Sequence, residues 1–288
     1  MSLSLGVLLG IVTMLCWGAS DFVAANSSRK IGATRTFFWS QAIVTIFYSL
    51  AFAAFFKLPL LSLETLALIT FAGLFNALGF LVFYKAFQLG KIAIVSPITN
   101  TWAVFTIVMA LAFLGESLTA VQAFGALLAI LGSVLVSFKL HDLYNLDLSR
   151  KNVALGAEYA LIAALLFGSF YTVLDVLASR LDWFFPMFLV RFPTLALVFL
   201  ASAAIKKKLD FPSNALGLVA LVGLLETIGN LSYGAGITLE FSAVMAPIAA
   251  TMPLVTILLA VVLLKESLEV NQKVGIASIV SGIVLLSV

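Results

Sequence analysis

Continuous apolar runs of roughly 20 residues, each ended by charged or turn-forming residues, recur along this chain. Ten of them fall at roughly 3–25, 35–56, 65–87, 92–113, 119–138, 153–175, 184–204, 213–235, 242–263 and 270–287. A run of that length suits a helix crossing a hydrocarbon core about 30 Å thick. Strands of a membrane barrel would alternate apolar and polar positions instead. A helix also satisfies its own backbone amides where lipid offers no hydrogen bonds. The pattern predicts an all-α integral membrane protein with ten transmembrane helices. The longest polar connector separates five runs from five, dividing the chain into 1–138, a linker at 139–152, and 153–288.

Two short strings point to a duplication: LGESL at 114–118 and LKESL at 264–268. Shifting the sequence by 150 positions, the spacing of Glu116 and Glu266, aligns the two halves without a gap. Trp17-Gly18 falls on Phe167-Gly168, Gly73 on Gly223, Gly79 on Gly229, and Pro97-Ile98 on Pro247-Ile248. Thr106 meets Thr256, Gln122 meets Gln272, and Gly125 and Gly132 meet Gly275 and Gly282. Matched Leu and Val are common in apolar sequence; matched Gly, Pro, Glu and Gln are not. An odd number of spans per copy makes the second enter the membrane from the opposite side. This is the inverted-repeat plan of many secondary transporters, whose substrate sites lie near the midplane between the copies. Such symmetry lets one packing exist in two mirror-related forms, each open to one side, which is a physical basis for alternating access.

Composition agrees with the pattern. Hydrophobic residues make up 63% of the chain and charged residues 10%, against about 25% charged in a soluble domain, so the outer surface faces lipid. The few charges are unevenly placed. Arg29, Lys30, Arg35, Lys91, Lys139, Arg150, Lys151, Lys206, Lys207, Lys208, Lys265 and Lys273 fall in loops on one side, against Lys57 and Arg180 on the other. The positive-inside rule then places both termini outside. Met1 to Leu5 lead straight into the first apolar run, so no removable signal peptide is expected. One cysteine, Cys16, and one histidine, His141, leave little for a disulfide, a metal site or a Ser-His-Asp arrangement. No cofactor, metal, enzymatic chemistry or nucleic-acid partner is expected. No ring of like charges or filter-like loop marks an ion channel.

Ionisable residues inside the spans are the informative feature, because each needs a partner, a cavity or neutralisation. Glu226 lies near the middle of the eighth run, with Asn230 and Tyr233 at i+4 and i+7 on the same helical face. That polar stripe either lines a wet cavity or pairs inside the bundle. Its repeat mates Asn76, Phe80 and Phe83 predict an uncharged, aromatic opposite wall. Arg191, inside the seventh run, is a candidate counter-ion for Glu226 or Glu158, or a group for a substrate carboxylate. Trp17 and Asp21, and Tyr171 and Asp175, are i, i+4 pairs of an aromatic ring and an acid. They suit an organic cation through cation–π and Coulomb attraction, or else belong to the headgroup belt, with Asp175 close to its span's end. Asn100, Trp102 and Thr106 are further candidates to line a cavity from the fourth run. Glu116 and Glu266 read as caps of the helices that follow them. Gly125, Gly132, Gly275 and Gly282 predict a tight helix seam, within one chain or between two. Pro97, Pro247, Pro253 and Pro193 mark kinks or hinges.

These residues resemble a known family. Trp17-Gly18, VRFP at 190–193, and two copies of Ala-x3-Pro…Glu-Ser-Leu…Gln-x2-Gly…Gly look like EamA-type transporters of the drug/metabolite transporter superfamily, over essentially the full length. The resemblance implies two inverted five-helix repeats around a central cavity lined by spans 1–4 and 6–9, with spans 5 and 10 at the periphery. It implies secondary active transport of a small metabolite, proton-coupled or by exchange, in the cell membrane, as a monomer or homodimer. The cargo expected first is an amino acid or related zwitterion, which would use Arg191 with Glu226 or Asp21; the alternative, a choline-like cation, would use Asp21, Glu226, Trp17 and Tyr233. A passive channel or facilitator is the reading from a different class. Two positions depart from the pattern: Asp21 follows the Trp-Gly, and Gln41 stands where the repeat has Arg191. Some relatives keep both termini cytosolic, the reverse of the charge count.

Overall fold

The computed structural model describes residues 4–89, 92–141 and 150–288. The expectations for Lys91, the Ala93, Arg150 and Lys151 side chains and most of the 139–152 linker lie outside the described residues. The described elements are helices: α1 (Leu5–Ile31), α2 (Ala33–Phe55), α3 (Leu63–Leu89), α4 (Ile92–Thr99), α5 (Trp102–Met109, ending in a wider π turn), α6 (Ala120–Val136), α7 (Arg150–Leu181), α8 (Phe184–Leu189), α9 (Arg191–Ala204), α10 (Leu216–Ile237), α11 (Ser242–Ala249), α12 (Pro253–Leu264) and α13 (Val270–Leu286). Eight spans are long and apolar enough to cross a membrane, with α4–α5, α8–α9 and α11–α12 each counting as one. The runs expected at 119–138 and 270–287 form helices of 17 residues each, about 25 Å at 1.5 Å per residue. The chain is a multi-pass, all-helical membrane protein.

Prolines explain where the spans break. Pro97 in α4 and Pro247 in α11 each lack the N–H that would bond one turn back. The helices stop two residues later, and α5 and α12 restart after a short turn. Pro193 stands in α9 just past the break at Val190, and Pro253 begins α12. Gly115 and Lys265, one shift apart, both end their helices in the left-handed region (φ 72° and 58°) and turn the chain so that Glu116 and Glu266 leave the helix axis.

The glutamates do not cap the helices that follow them. Thr119 caps α6 in a capping box with Gln122, and Glu269 caps α13 in the same way with Gln272. Because its turn faces α11 and α6 is already capped, Glu116 bonds the first backbone N–H groups of α11 instead. Glu266 pairs with Lys139 at 2.8 Å.

The two short helices pack against each other within this chain. A Cβ on Gly132 would lie 2.7 Å from the Gly275 carbonyl, and one on Gly282 2.7 Å from the Gly125 carbonyl. Small residues here allow backbone contact where lipid supplies no hydrophobic drive. Other contacts also come in pairs separated by the 150-residue shift. The Thr106 hydroxyl donates to the Gly168 carbonyl (3.4 Å) and the Thr256 hydroxyl to the Gly18 carbonyl (2.9 Å). Gly79 packs on Phe167 and Gly229 on Trp17; Gly73 packs on Pro193 and Gly223 on Ile43. Gln41 bonds Arg191, its own mate.

α1 runs antiparallel to α10, as Ser4–Glu240, Thr13–Gly229 and Ser20–Glu226 contacts show. Ser4, Glu240, Glu116, Asp175 and the Arg180–Glu64 ion pair gather at one end of the bundle, here called the terminal end. Arg35 with Asp210 and Phe211, Lys207 with Thr34, and Lys139 with Glu266 lie at the opposite, basic end.

Candidate functional site

Four rings from four spans meet in the bundle centre: Trp17 of α1, Trp102 of α5, Tyr171 of α7 and Tyr233 of α10. Trp17 stacks on Tyr233 at 5.4 Å and lies 5.6 Å from Tyr171. Trp102 lies 4.4 Å from Tyr171, and Tyr171 5.0 Å from Tyr233. Gly229 faces the Trp17 ring, and Gly168 faces Phe105 and the Trp102 carbonyl, so both pairs of helices approach closely beside the rings. The Trp17 Nε1 and Tyr233 hydroxyl are buried without hydrogen-bond partners. On its flank a second layer, Tyr48, Phe52 and Phe56 against Phe184, Phe185 and Phe188, packs α2 on α8, with Phe56 stacked on Phe184 at 3.9 Å. This second layer, at the end of α2 and the start of α8, lies toward the terminal end.

Two acids stand on the other side of the rings. Asp21 is one helical turn beyond Trp17, with its side chain exposed on the protein surface. It is not aimed at lipid. The exposed apolar stripe of α1, Leu8, Val12 and Leu15, lies roughly 140° around the helix at 100° per residue. Glu226 is half-buried, two turns from Tyr233, and within Coulombic reach of Asp21. The Ser20 hydroxyl donates to its Oε1 at 3.3 Å and Asn230 Nδ2 to its Oε2 at 3.2 Å. Neither acid forms an ion pair with a described residue. A carboxylate so held stays polarised without being neutralised by a fixed base, and it can meet a cation.

Arg191 is placed differently from the expectation of an ion pair with Glu226 or Glu158. Its Nη1 donates to Gln41 Oε1 at 2.7 Å and its Nε to the Met187 carbonyl at 3.1 Å, over the Tyr48 ring. α9 packs on α2, so the guanidinium meets its repeat mate, while Glu226 is engaged by Ser20 and Asn230. Arg191 is 3% exposed. Glu158 stands near the start of α7, about 20 Å along the axis from Tyr171, and is exposed. Asn76 donates to Thr194 (3.3 Å) and Asn100 to Ser137 (3.0 Å), each tying two helices together outside the ring cluster. Phe80 and Phe83 pack on Phe167, an apolar aromatic wall. Asp175 is not near its helix end, because α7 continues to Leu181.

The sequence profile of the EamA-like transporter family matches residues 4–138 and again 154–288. The chain belongs to that family. It is part of the drug/metabolite transporter superfamily, and the double match spans both halves of this EamA-like chain. An uncharacterised transporter of Archaeoglobus fulgidus is 22% identical over 284 residues, 98% of each protein. One solved crystal structure superposes with a TM-score of 0.83 at 19% identity, covering 100% of this chain and 99% of the other; that likeness concerns the fold. Family and relative place this EamA-like protein among membrane transporters. Ser20, which orients Glu226, carried no sequence signal, since a serine inside an apolar run is ordinary. Gln41 did carry one: the 150-residue shift places it on Arg191.

Proposed function

We propose that this EamA-like protein is a secondary transporter that works by alternating access. Its two five-helix halves, 1–138 and 153–288, are inverted repeats joined by the 139–152 linker. The paired contacts support this, above all Gln41 on its own mate Arg191, which is where a two-fold axis would pass. The four-ring cluster then closes the pathway toward the terminal end, and the exposed Asp21 opens toward the basic end. The basic end is the cytoplasmic one by the positive-inside rule, so both termini face outward and the form described is open to the cell interior.

The cargo is a small metabolite bearing a cationic amine. The observation that carries this is the closeness of Asp21 and Glu226, neither in an ion pair with a described residue though Arg191 lies within Coulombic reach of Glu226, to the Trp17, Tyr171 and Tyr233 rings. Cation–π attraction of this kind contributes about 0.5–2 kcal/mol per ring. Arg191 gives Nε and Nη1 to Met187 and Gln41 and is buried, so a zwitterion's carboxylate would have to reach its unpartnered Nη2 inside the bundle. Isothermal titration with tetramethylammonium, choline and free amino acids tests the assignment. Choline binding that survives Arg191→Gln supports the reading; amino-acid binding lost in the same variant, with no choline binding, overturns it. Choline accumulation against a gradient in proteoliposomes separates coupled transport from passive facilitation.

A further inference from the structure

The terminal end holds an acid pair that the amine site does not use. Glu116, in the turn after α5, accepts from the Ser242 backbone N–H at 3.0 Å and the Ala243 N–H at 2.8 Å, the first turn of α11. Its carboxyl group also hydrogen-bonds side chain to side chain with Asp175 of α7. Both acids line a cavity of about 490 Å³ together with Ser179, Arg180 and Glu240. Three spans that approach from different directions are thus joined at one point.

Two carboxyl groups in contact cannot both ionise without strong repulsion, so the pair holds one proton between its members. Their surroundings agree. The Ser242 and Tyr233 hydroxyls beside the pair are fully buried, with the Ser242 hydroxyl in hydrogen-bonding reach of Asp175 and of Tyr233. Arg180 of α7, the nearby base, is taken by Glu64 at 2.8 Å. Glu240, from the α10–α11 turn, accepts from the Ser4 hydroxyl of α1's cap at 3.0 Å. Tyr171 of α7 and Tyr233 of α10 are the other titratable groups near the pair; Glu226 of α10 and Glu158 and Tyr159 of α7 lie farther along their helices, and α5 and α11 contribute none. Without a base to balance two negative charges, the contact depends on the proton.

We propose that Glu116 and Asp175 are a proton-binding latch that ties the α5–α6 turn to α7 and α11 and holds the terminal end shut. The latch rests on the reading that this end is the closed gate, and it is independent of the cargo. Burial pushes Glu116 up to about 7, offset in part by the two backbone N–H groups and reinforced by Asp175. When the end opens, the two carboxyls separate into water and return toward ordinary values. The closed form therefore binds the extra proton, so acid favours closure and the latch weakens as pH rises through about 7. With the terminal end outside, external acid favours the inward-open form; the proton bound on closing returns to the same side on opening, so the latch sets a pH-dependent bias between the two forms and carries no proton across the membrane.

Electron-spin distance measurements test this without a substrate. Nitroxides on Ser179→Cys and Leu239→Cys, in a Cys16→Ser background, span the cavity mouth from α7 to the α10–α11 turn. A single short distance is expected near pH 5.5, with a longer population growing about tenfold by pH 8.5. Glu116→Gln and Asp175→Asn each remove one of the two charges, so each is expected to stay short at both pH values. Because the variants delete opposite members, one that folds suffices. Distances in the parent protein that ignore pH overturn the latch. So does a pH response that persists in a folded variant, which would move the titration to Asp21 or Glu226. Loss of choline binding alone would defeat the cargo assignment and leave the latch standing.

Discussion

At the scale of single residues, the geometry separates groups of similar chemistry by what holds them. Asp21, Glu226, Glu116 and Asp175 are all acids in or beside the spans, yet Glu226 is held by Ser20 and Asn230 within Coulombic reach of Asp21, while Glu116 and Asp175 face each other. Asp21→Asn and Trp17→Leu are each expected to weaken choline binding, Asp21→Asn by about tenfold or more, and Trp17→Leu by a few-fold. Titration calorimetry on folded protein reads both. Arg191→Met removes the partner of a buried carboxamide and is expected to lower the melting temperature. Gln41→Leu with Arg191→Met should recover part of that loss, because two apolar groups leave no polar atom unpaired. A double mutant no more stable than the single would show that the Gln41–Arg191 bond is not what the Met substitution damages.

At the scale of elements, the proline-broken spans and the glycine seam carry different tasks. The α6–α13 seam is a static weld: Gly132→Val would press a branched side chain into the Gly275 backbone, where a Cβ alone already comes to 2.7 Å. A loss of stability of about 1–3 kcal/mol is expected from such overpacking, seen as a lower melting temperature with choline affinity unchanged once folded. The breaks after Pro97 and Pro247 instead leave α4–α5 and α11–α12 in jointed halves, and Glu116 grips the free start of α11. The repeated Glu-Ser-Leu string is legible as a junction in the sequence. Its partner is not, because a cap on the next helix and a bond to a helix 126 residues away start from the same residue in the same turn.

For the whole molecule, the distribution of charge makes a claim about orientation. The basic end carries Arg35, Lys139 and Lys207 in contacts that hold the loops together, and the terminal end carries more acid than base. A tag after Val288 is expected to be accessible from outside intact cells, and protection of that tag would reverse both the orientation and the side on which the proton latch works. The same test bears on relatives with cytosolic termini, whose gate would then sit on the opposite face.

Hydrophobic periodicity alone determined that the chain is a helical membrane protein, because lipid permits few ways to satisfy a backbone. The 150-residue spacing of Gly, Pro, Glu and Gln showed the duplication for a related reason: those residue types are placed by turns, caps and close approaches, which were copied with the fold. What the sequence left open was pairing between distant side chains. That Arg191 meets Gln41 rather than Glu226, and that Glu116 meets Asp175 and α11, depends on which helix faces each are brought together. Helix rotation and tilt are set by packing across hundreds of residues, so only the tertiary structure decided which charged and polar side chains meet one another.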